Sequence, residues 1–405
     1  MKYDEALEWL YSTQNFGIKL GLDAPKKLLR QFLANPTRDT KVVHIAGTNG
    51  KGSTCAMIDA LARSTGIRCG IFTSPHLVDY RERIRVNGEM IPEDTVLSYL
   101  TELKSLVGDW EHHPTFFELT LAVAMKYFKA TECELIILET GMGGRLDATT
   151  AVPADVCVIT PIALDHSDWL GDTIEKVAAE KAGIICDKKP IISSQQERDA
   201  EIVIAEVADE KRAPLTKVSG PLLGYSIKLP GIHQAENAKV AIEAMHALEI
   251  PLDFDTVKHA LSSITWPGRF ETISENPQII IDGAHNPHAA AALVETWQRE
   301  FPSQKATLIF GAVESKDIGG VLTQLCSISD SIHITPIDSP RSLSPEELAE
   351  ALPTSAPQPT VHASLQECLA QLTTHPHPIL IAGSLFLIGQ AKAILSNHTF
   401  QQSSQ

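Results

Sequence analysis

A chain of 405 residues, 43% hydrophobic and 21% charged, has an ordinary globular composition and is long enough for two domains of roughly 100–250 residues each. Its formal net charge of −16 argues against a nucleic-acid backbone as partner, since that requires a basic face, whereas a local patch suffices for a small anion. No apolar run approaches the roughly 20 residues of a membrane span, and the seven scattered cysteines include no C-x-x-C pair.

The N-terminal "MKYDEALEWLYS" reads as an acidic amphipathic helix without a signal-peptide core. Together with cysteines placed as buried thiols, such as Cys157 in "ADVCVIT", it points to a reducing, cytoplasmic setting with neither a disulfide frame nor a zinc site. "KVVHIAG" then reads as a strand leading to a helix over 53–65, followed by the strand "IRCGIFTSP" and a long helix in "TFFELTLAVAMKYFKA". "ELIILETG", "ADVCVITPI", a helix over 173–183, "KPIISSQ" and a helix over 198–210 continue the alternation. Short Val/Ile-rich strands between helices predict an α/β fold with a mostly parallel sheet covered on both faces. A second series begins near Trp266: "PQIIIDGAHNP", a helix over 288–300, "KATLIFGAV", "SIHITPI", "PTVHASL" and "PILIAGS". Pro267 and Gly268 lie between the two series. The boundary is therefore expected there, with a larger domain over 1–266 and a smaller Rossmann-like one over 267–405. The polar tail "NHTFQQSSQ" is expected to fray.

Chemistry is expected first at "GTNGKGS" (47–53), a glycine-rich turn between strand and helix. Successive backbone N–H groups and a helix N-terminus favour an anion there, and Lys51 adds a point charge. The turn departs from the P-loop pattern G-x-x-x-x-G-K-[ST], because Gly52 stands where a magnesium-binding hydroxyl belongs. Hard ligands must then come from other strand ends, which in a parallel sheet open on one crevice. Ser74 in "IFTSPH", Glu139 in "LETG", and Asp165, His166 and Asp168 in "ALDHSDWLG" are the candidates. Each also has a plainer use: a turn cap, a surface carboxylate or a loop histidine. "GMGGRLDAT" (141–149) holds Arg145 and Asp147 in either a substrate loop or a flexible surface loop, and "IDGAHNPHA" repeats the strand–turn–helix pattern with Asp282 and His285.

Taken in order, "HIAGTNGKGST", "TSPHLVDYRERIRVNG", "TFFE", "LETGMGGRLDAT", "ALDHSDWLG", "EKAGI", "PGRFE", "DGAHNPHA" and "AGSLF" resemble folylpolyglutamate synthase/dihydrofolate synthase, of the Mur ligase superfamily of ATP-dependent amide-forming enzymes. The match runs from "FGIKLGL" near the N-terminus to "AGSLF". The resemblance implies that Thr48, Asn49, Gly50, Lys51, Gly52 and Ser53 hold the triphosphate, with Asn237, Arg269 and Asp282 as further ATP contacts. It places Ser74, Glu139 and His166 on magnesium, two ions being expected, and makes Lys181 of "AEKAGI" a carbamate (N6-carboxylysine) that joins them. Lys51, His166 and Lys181 are thereby the expected catalytic residues. Thr115, Phe116, Phe117 and Glu118, with Leu146, Asp147 and Ala148, match the pterin-side pocket, and His285 and Ser384 match positions for the incoming glutamate.

The implied reaction phosphorylates a substrate carboxylate to an acyl phosphate, which the α-amine of L-glutamate attacks. Dihydropteroate and reduced folates are the implied acceptors, with "TSPHLVDYRERI" resembling the loop of bifunctional members; polyglutamate activity alone is the alternative. A cell-wall Mur ligase would carry a further domain before its loop, and here the loop begins by residue 47. A nucleotide switch would show N-K-x-D, which the chain lacks. A monomer is expected.

Overall fold

The computed structural model describes residues 2–17, 21–314, 317–372, 377–396 and 398–401, without the side chains of Phe16, Ser167 and Asp168. Part of "FGIKLGL", the Asp168 carboxylate and much of the C-terminal tail therefore lie outside the described residues.

Eight strands form the first sheet: β1 (Lys41–Ala46), β2 (Cys69–Phe72), β3 (Ile84–Val86), β4 (Glu89–Met90), β5 (Leu135–Glu139), β6 (Val156–Ile159), β7 (Ile191–Ser193) and β8 (Leu215–Lys217). Their order is β4-β3-β2-β5-β1-β6-β7-β8, parallel from β2 to β8. The central strands read as unbroken apolar runs because both faces are covered; β1, β5 and β6 are buried along nearly their whole length. On one face the helix Phe116–Ala130 packs with the N-terminal helices. The helices Lys51–Ser64, His233–Ala247 and Phe254–Ser263 cover the other. Full burial of each Leu, Ile or Phe side chain in these layers contributes about 2 kcal/mol.

The strand pair β3–β4 runs antiparallel at the edge, joined by Asn87-Gly88, both at positive φ. An Asn-Gly pair between β segments favours the tight turn whose twist matches the strands, so this hairpin was readable in "IRVNGEM".

The second sheet comprises β9 (Glu271–Glu275), β10 (Gln278–Ile281), β11 (Ala306–Phe310), β12 (Ser329–Ile334), β13 (Thr360–Val361) and β14 (Ile379–Ala382), in the order β13-β12-β11-β14-β10-β9. It is parallel except for the β9–β10 pair. The helices after β1 and β10 begin at Lys51 and Pro287, one or two residues earlier than their apolar periodicity suggests. Asn286 caps the second through a bond from the Ala289 amide, and Pro287 at its first turn needs no amide partner. Among the described residues no helix is long and apolar enough to cross a membrane.

Candidate active site

The turn after β1 crosses tightly over β6. Gly47 has φ +149° and a Cβ there would lie 1.9 Å from Thr160 Oγ1, so only glycine fits. Thr48 and Asn49 donate their amides to the Pro161 carbonyl, and the Thr48 hydroxyl donates to Ala163. From Gly50 (φ +85°) onward the chain enters the helix, where the first intrahelical bond is Thr54 N–H to Gly50. The amides of residues 50–53 thus emerge at the helix N-terminus without intrahelical acceptors, the arrangement that receives phosphate oxygens.

The lack of a hydroxyl after Lys51 now has a physical cause. A Cβ on Gly52 would sit 2.9 Å from the indole Nε1 of Trp266, so the tryptophan from the connector occupies the space where a serine or threonine would project. Gly50 is similarly covered by Asn237, whose Oδ1 would be 2.7 Å from an added Cβ. Asn237 itself is buried and donates to Gln234.

One cleft gathers the expected groups. Thr48 to Ser53 form its floor, with Asn237 against Gly50; Ser74, Glu139, His166 and Lys181 enter from the first sheet's side; Arg269, Asp282 and His285 come from the second part of the chain. The Ser74 amide donates to Glu139 Oε2 at 3.2 Å, while the buried Ser74 hydroxyl has no hydrogen-bond partner among the described residues. Burial pushes the Glu139 carboxyl above its ordinary range, opposed by Lys51 and by the Ser74 amide. An orphan hydroxyl beside a buried carboxylate fits a hard divalent cation, whose charge would remove both penalties.

Lys51 Nζ donates to the Gly47 carbonyl at 3.1 Å and to Thr48 at 3.2 Å; Lys181 Nζ donates to the same Gly47 carbonyl at 2.9 Å. Two ammonium groups on one acceptor repel. Burial, with Lys51 adding to it, lowers Lys181 to about 7. His166 adopts φ +52°, a left-handed conformation uncommon outside glycine, and its amide donates to Asp165 Oδ1. Asp165 also faces His285, with Nε2 3.6 Å from Oδ2, so one carboxylate links histidines from both sheets. The Nδ1–H of His285 is taken by the Gly283 carbonyl, which leaves Nε2 turned toward Asp165.

Asp282 accepts the amides of Phe270 and Ala284; burial raises its carboxyl and Arg269 opposes the rise. A reciprocal pair ties the two halves: Asn286 donates to Asn49 Oδ1 at 3.0 Å and Asn49 donates back at 3.2 Å, with His288 2.9 Å from the same amide nitrogen. Asn286 and His288 were not singled out from the sequence, although "DGAHNPHA" contains both.

The remaining expected residues do not line this cleft. Thr115 and Glu118 cap the helix Phe116–Ala130 reciprocally, and Phe116 stacks on Tyr11 within the core. Asp147 closes its own loop, taking the amides of Gly141 and Met142 at 2.9 Å and of Thr149 at 3.0 Å, and Ala148 is buried behind it. Phe117 and Leu146 keep partial exposure. Ser384 Oγ accepts the Phe386 amide at the start of the last helix, whose Leu385 does line the cleft.

Residues 45–193 match the Mur ligase middle domain and residues 268–385 the Mur ligase glutamate ligase domain. The chain is 35% identical over 371 residues to the Escherichia coli dihydrofolate synthase/folylpolyglutamate synthase, spanning 87% of this chain and 86% of the relative. It superposes with TM-score 0.87 and 32% identity on E. coli FolC in complex with DHPP and ADP, over 97% of this chain and 98% of that one. With TM-score 0.85 and 31% identity it also matches a bifunctional folylpolyglutamate synthase/dihydrofolate synthase with Mn, AMPPNP and L-glutamate bound, over 96% and 98% of the two chains.

Proposed function

The chain belongs to the dihydrofolate synthase/folylpolyglutamate synthase family of Mur-type ligases, and from that membership we propose how its cleft serves the reaction. The protein is an ATP-dependent ligase that joins L-glutamate to dihydropteroate and to reduced folates, with ATP and a divalent cation as cofactors. A carboxylate is a poor acyl donor because oxide would have to leave; transfer of the γ-phosphoryl group makes phosphate the leaving group instead. The glutamate α-amine then attacks the carbonyl carbon, the C–O bond to phosphate breaks, and the amine gives up a proton.

The amides of residues 50–53 cradle the phosphates, with Thr48 and Asn49 shaping the turn and Lys51 neutralising charge on the transferring group. Asn237, beside Gly50, and Arg269 and Asp282 from the second part of the chain complete the nucleotide contacts. We assign two divalent ions, held among Ser74, Glu139, His166 and Lys181 as its carbamate. Bound there, such ions shield the phosphate oxygens and bring the acceptor carboxylate to the γ-phosphorus. The lowered Lys181 supports the carbamate reading: near neutral pH a large share is free amine, the form that adds CO2, and the product replaces a cation that repels Lys51 with an anion that attracts it.

His285, held by Gly283 and facing Asp165, meets the incoming amino acid, and Ser384 acts by fixing the first turn that carries Leu385. Phe117 and Leu146 supply apolar surface to the pterin side; Thr115, Phe116, Glu118, Asp147 and Ala148 hold that surface in shape. The division into 1–266 and 267–405 is supported by the two separate sheets. The seven free thiols suit a reducing, cytoplasmic setting, and a monomer is the proposed state.

The orphan Ser74 hydroxyl beside buried Glu139 at the phosphate turn carries this reading. Dihydropteroate and tetrahydrofolate should each be assayed separately with ATP and glutamate. Amide product from both is expected, and none from dihydropteroate would reduce the activity to polyglutamate extension.

A further inference from the structure

A second group of metal-ligating side chains lies in the other sheet, on elements that contribute nothing to the cleft. His333 on β12 pairs in parallel register with Thr360 on β13, so His362, two residues on, projects from the same face on the diagonal. The His362 amide donates to the Ile334 carbonyl, which fixes that register. The chain then turns into the helix Leu365–Gln371 and lowers Cys368 onto the two rings. Nδ1 of His333 is 2.8 Å from Nε2 of His362, the rings stack at 5.1 Å, and one ring nitrogen of each histidine and the Cys368 sulfur lie within 4.8 Å of one another. Cys368 and His362 are buried and His333 is half-buried.

We propose that His333, His362 and Cys368 form a binding site for a thiophilic divalent cation of the zinc class. Two imidazoles and a thiolate are the donors that suit such an ion, which tolerates a fourth position filled by water, whereas magnesium favours the oxygen-rich cleft. Nitrogens on one tetrahedral ion stand about 3.3 Å apart for bonds near 2.05 Å, so the stacked pair opens by about half an ångström. The proton shared between the rings moves to an outer ring nitrogen, the thiol proton passes to solvent, and bonds form from both nitrogens and the sulfur to the metal. The ion then staples β12, the exposed two-residue edge strand β13 and the helix behind it. Spacings of 29 and then six residues, with no C-x-x-C pair, hide this trio in the sequence.

The test uses the full chain, stripped with chelator and titrated with Co2+. Cobalt in the cleft, held by oxygen and imidazole donors, gives no sulfur band, so a near-ultraviolet thiolate-to-cobalt charge-transfer band reports the second site alone. The band is expected in the unaltered protein and in Cys186→Ser, and is expected to vanish in Cys368→Ser. His333→Gln, at the half-buried position, keeps a folded readout and should weaken cobalt binding by at least about 10-fold, since even outer-shell partners of a metal contribute that much. No charge-transfer band in the unaltered protein, a band surviving Cys368→Ser, or unchanged affinity in His333→Gln would overturn the site.

Discussion

Two glycine-rich turns leave the first sheet side by side, residues 47–53 after β1 and 141–147 after β5, and they dispose of their backbone polar groups in opposite ways. The first keeps the amides of residues 50–53 without intrahelical acceptors, aimed into the cleft. The second folds around its own carboxylate: Asp147 takes three amides and the Thr149 hydroxyl. Thr149 spends its proton on Asp147, so its oxygen accepts from His44 Nε2–H at 2.7 Å, extending the closed network into the sheet. Glycine content alone does not distinguish an open turn from a closed one. The acid six residues downstream does, because it decides whether the turn's donors are consumed internally.

Breaking the open turn should cost activity and breaking the closed one stability. Lys51→Ala is expected to lower turnover by at least about 10², the usual scale for one electrostatic group at a developing charge, with an unchanged circular dichroism spectrum. Near-normal turnover would remove the turn from the chemistry. Asp147→Ala strands one buried and two partly buried amides and should lower unfolding free energy in urea by about 2 kcal/mol or more. A smaller loss, with activity abolished, would mark Asp147 as a ligand contact.

The closed network also predicts an acid limb. Burial lowers His44 to about 3, so as pH falls through 6.5 the unfolded chain takes up a proton that the folded chain refuses. Stability is therefore lost as pH drops from about 6.5 toward 3, by up to about 1.4 kcal/mol per unit. His44→Gln, which keeps a donor near Thr149, should flatten that limb in pH-resolved denaturation; an unchanged slope would remove His44 as its source. The smallest effect is expected at the neighbouring helix cap. Thr115→Ala should cost about 1 kcal/mol in the same urea assay. Folate affinity falling with stability untouched would instead put Thr115 against the substrate.

Much of this molecule was legible because its strands are short apolar runs and its ligands stand at strand ends. Ser74 and His166 follow β2 and β6 and Glu139 ends β5, and the crevice rule brings them together before any coordinates are seen. What could not be read depends on distances between remote segments. Apart from the family resemblance, Lys181 is one lysine on a helix until its tip is found on the Gly47 carbonyl beside Lys51. The Asn49–Asn286 bridge spans 237 residues. The threonine and glutamate of "TFFE" were legible in another sense, since T-x-x-E before an apolar run is a helix-capping signature, and that is the use the fold makes of them.

Trp266 gives the molecule a property beyond packing. Its indole rests on Gly52 at the end of the nucleotide turn, where the helix begins, yet it belongs to the connector just before Pro267. The ring also packs with the helices on that face of the first sheet, so a ligand seated on the turn would change its surroundings and with them its emission. The turn therefore carries its own fluorophore, and the difference in emission between the unaltered chain and Trp266→Phe, with five tryptophans in all, isolates its response to nucleotide.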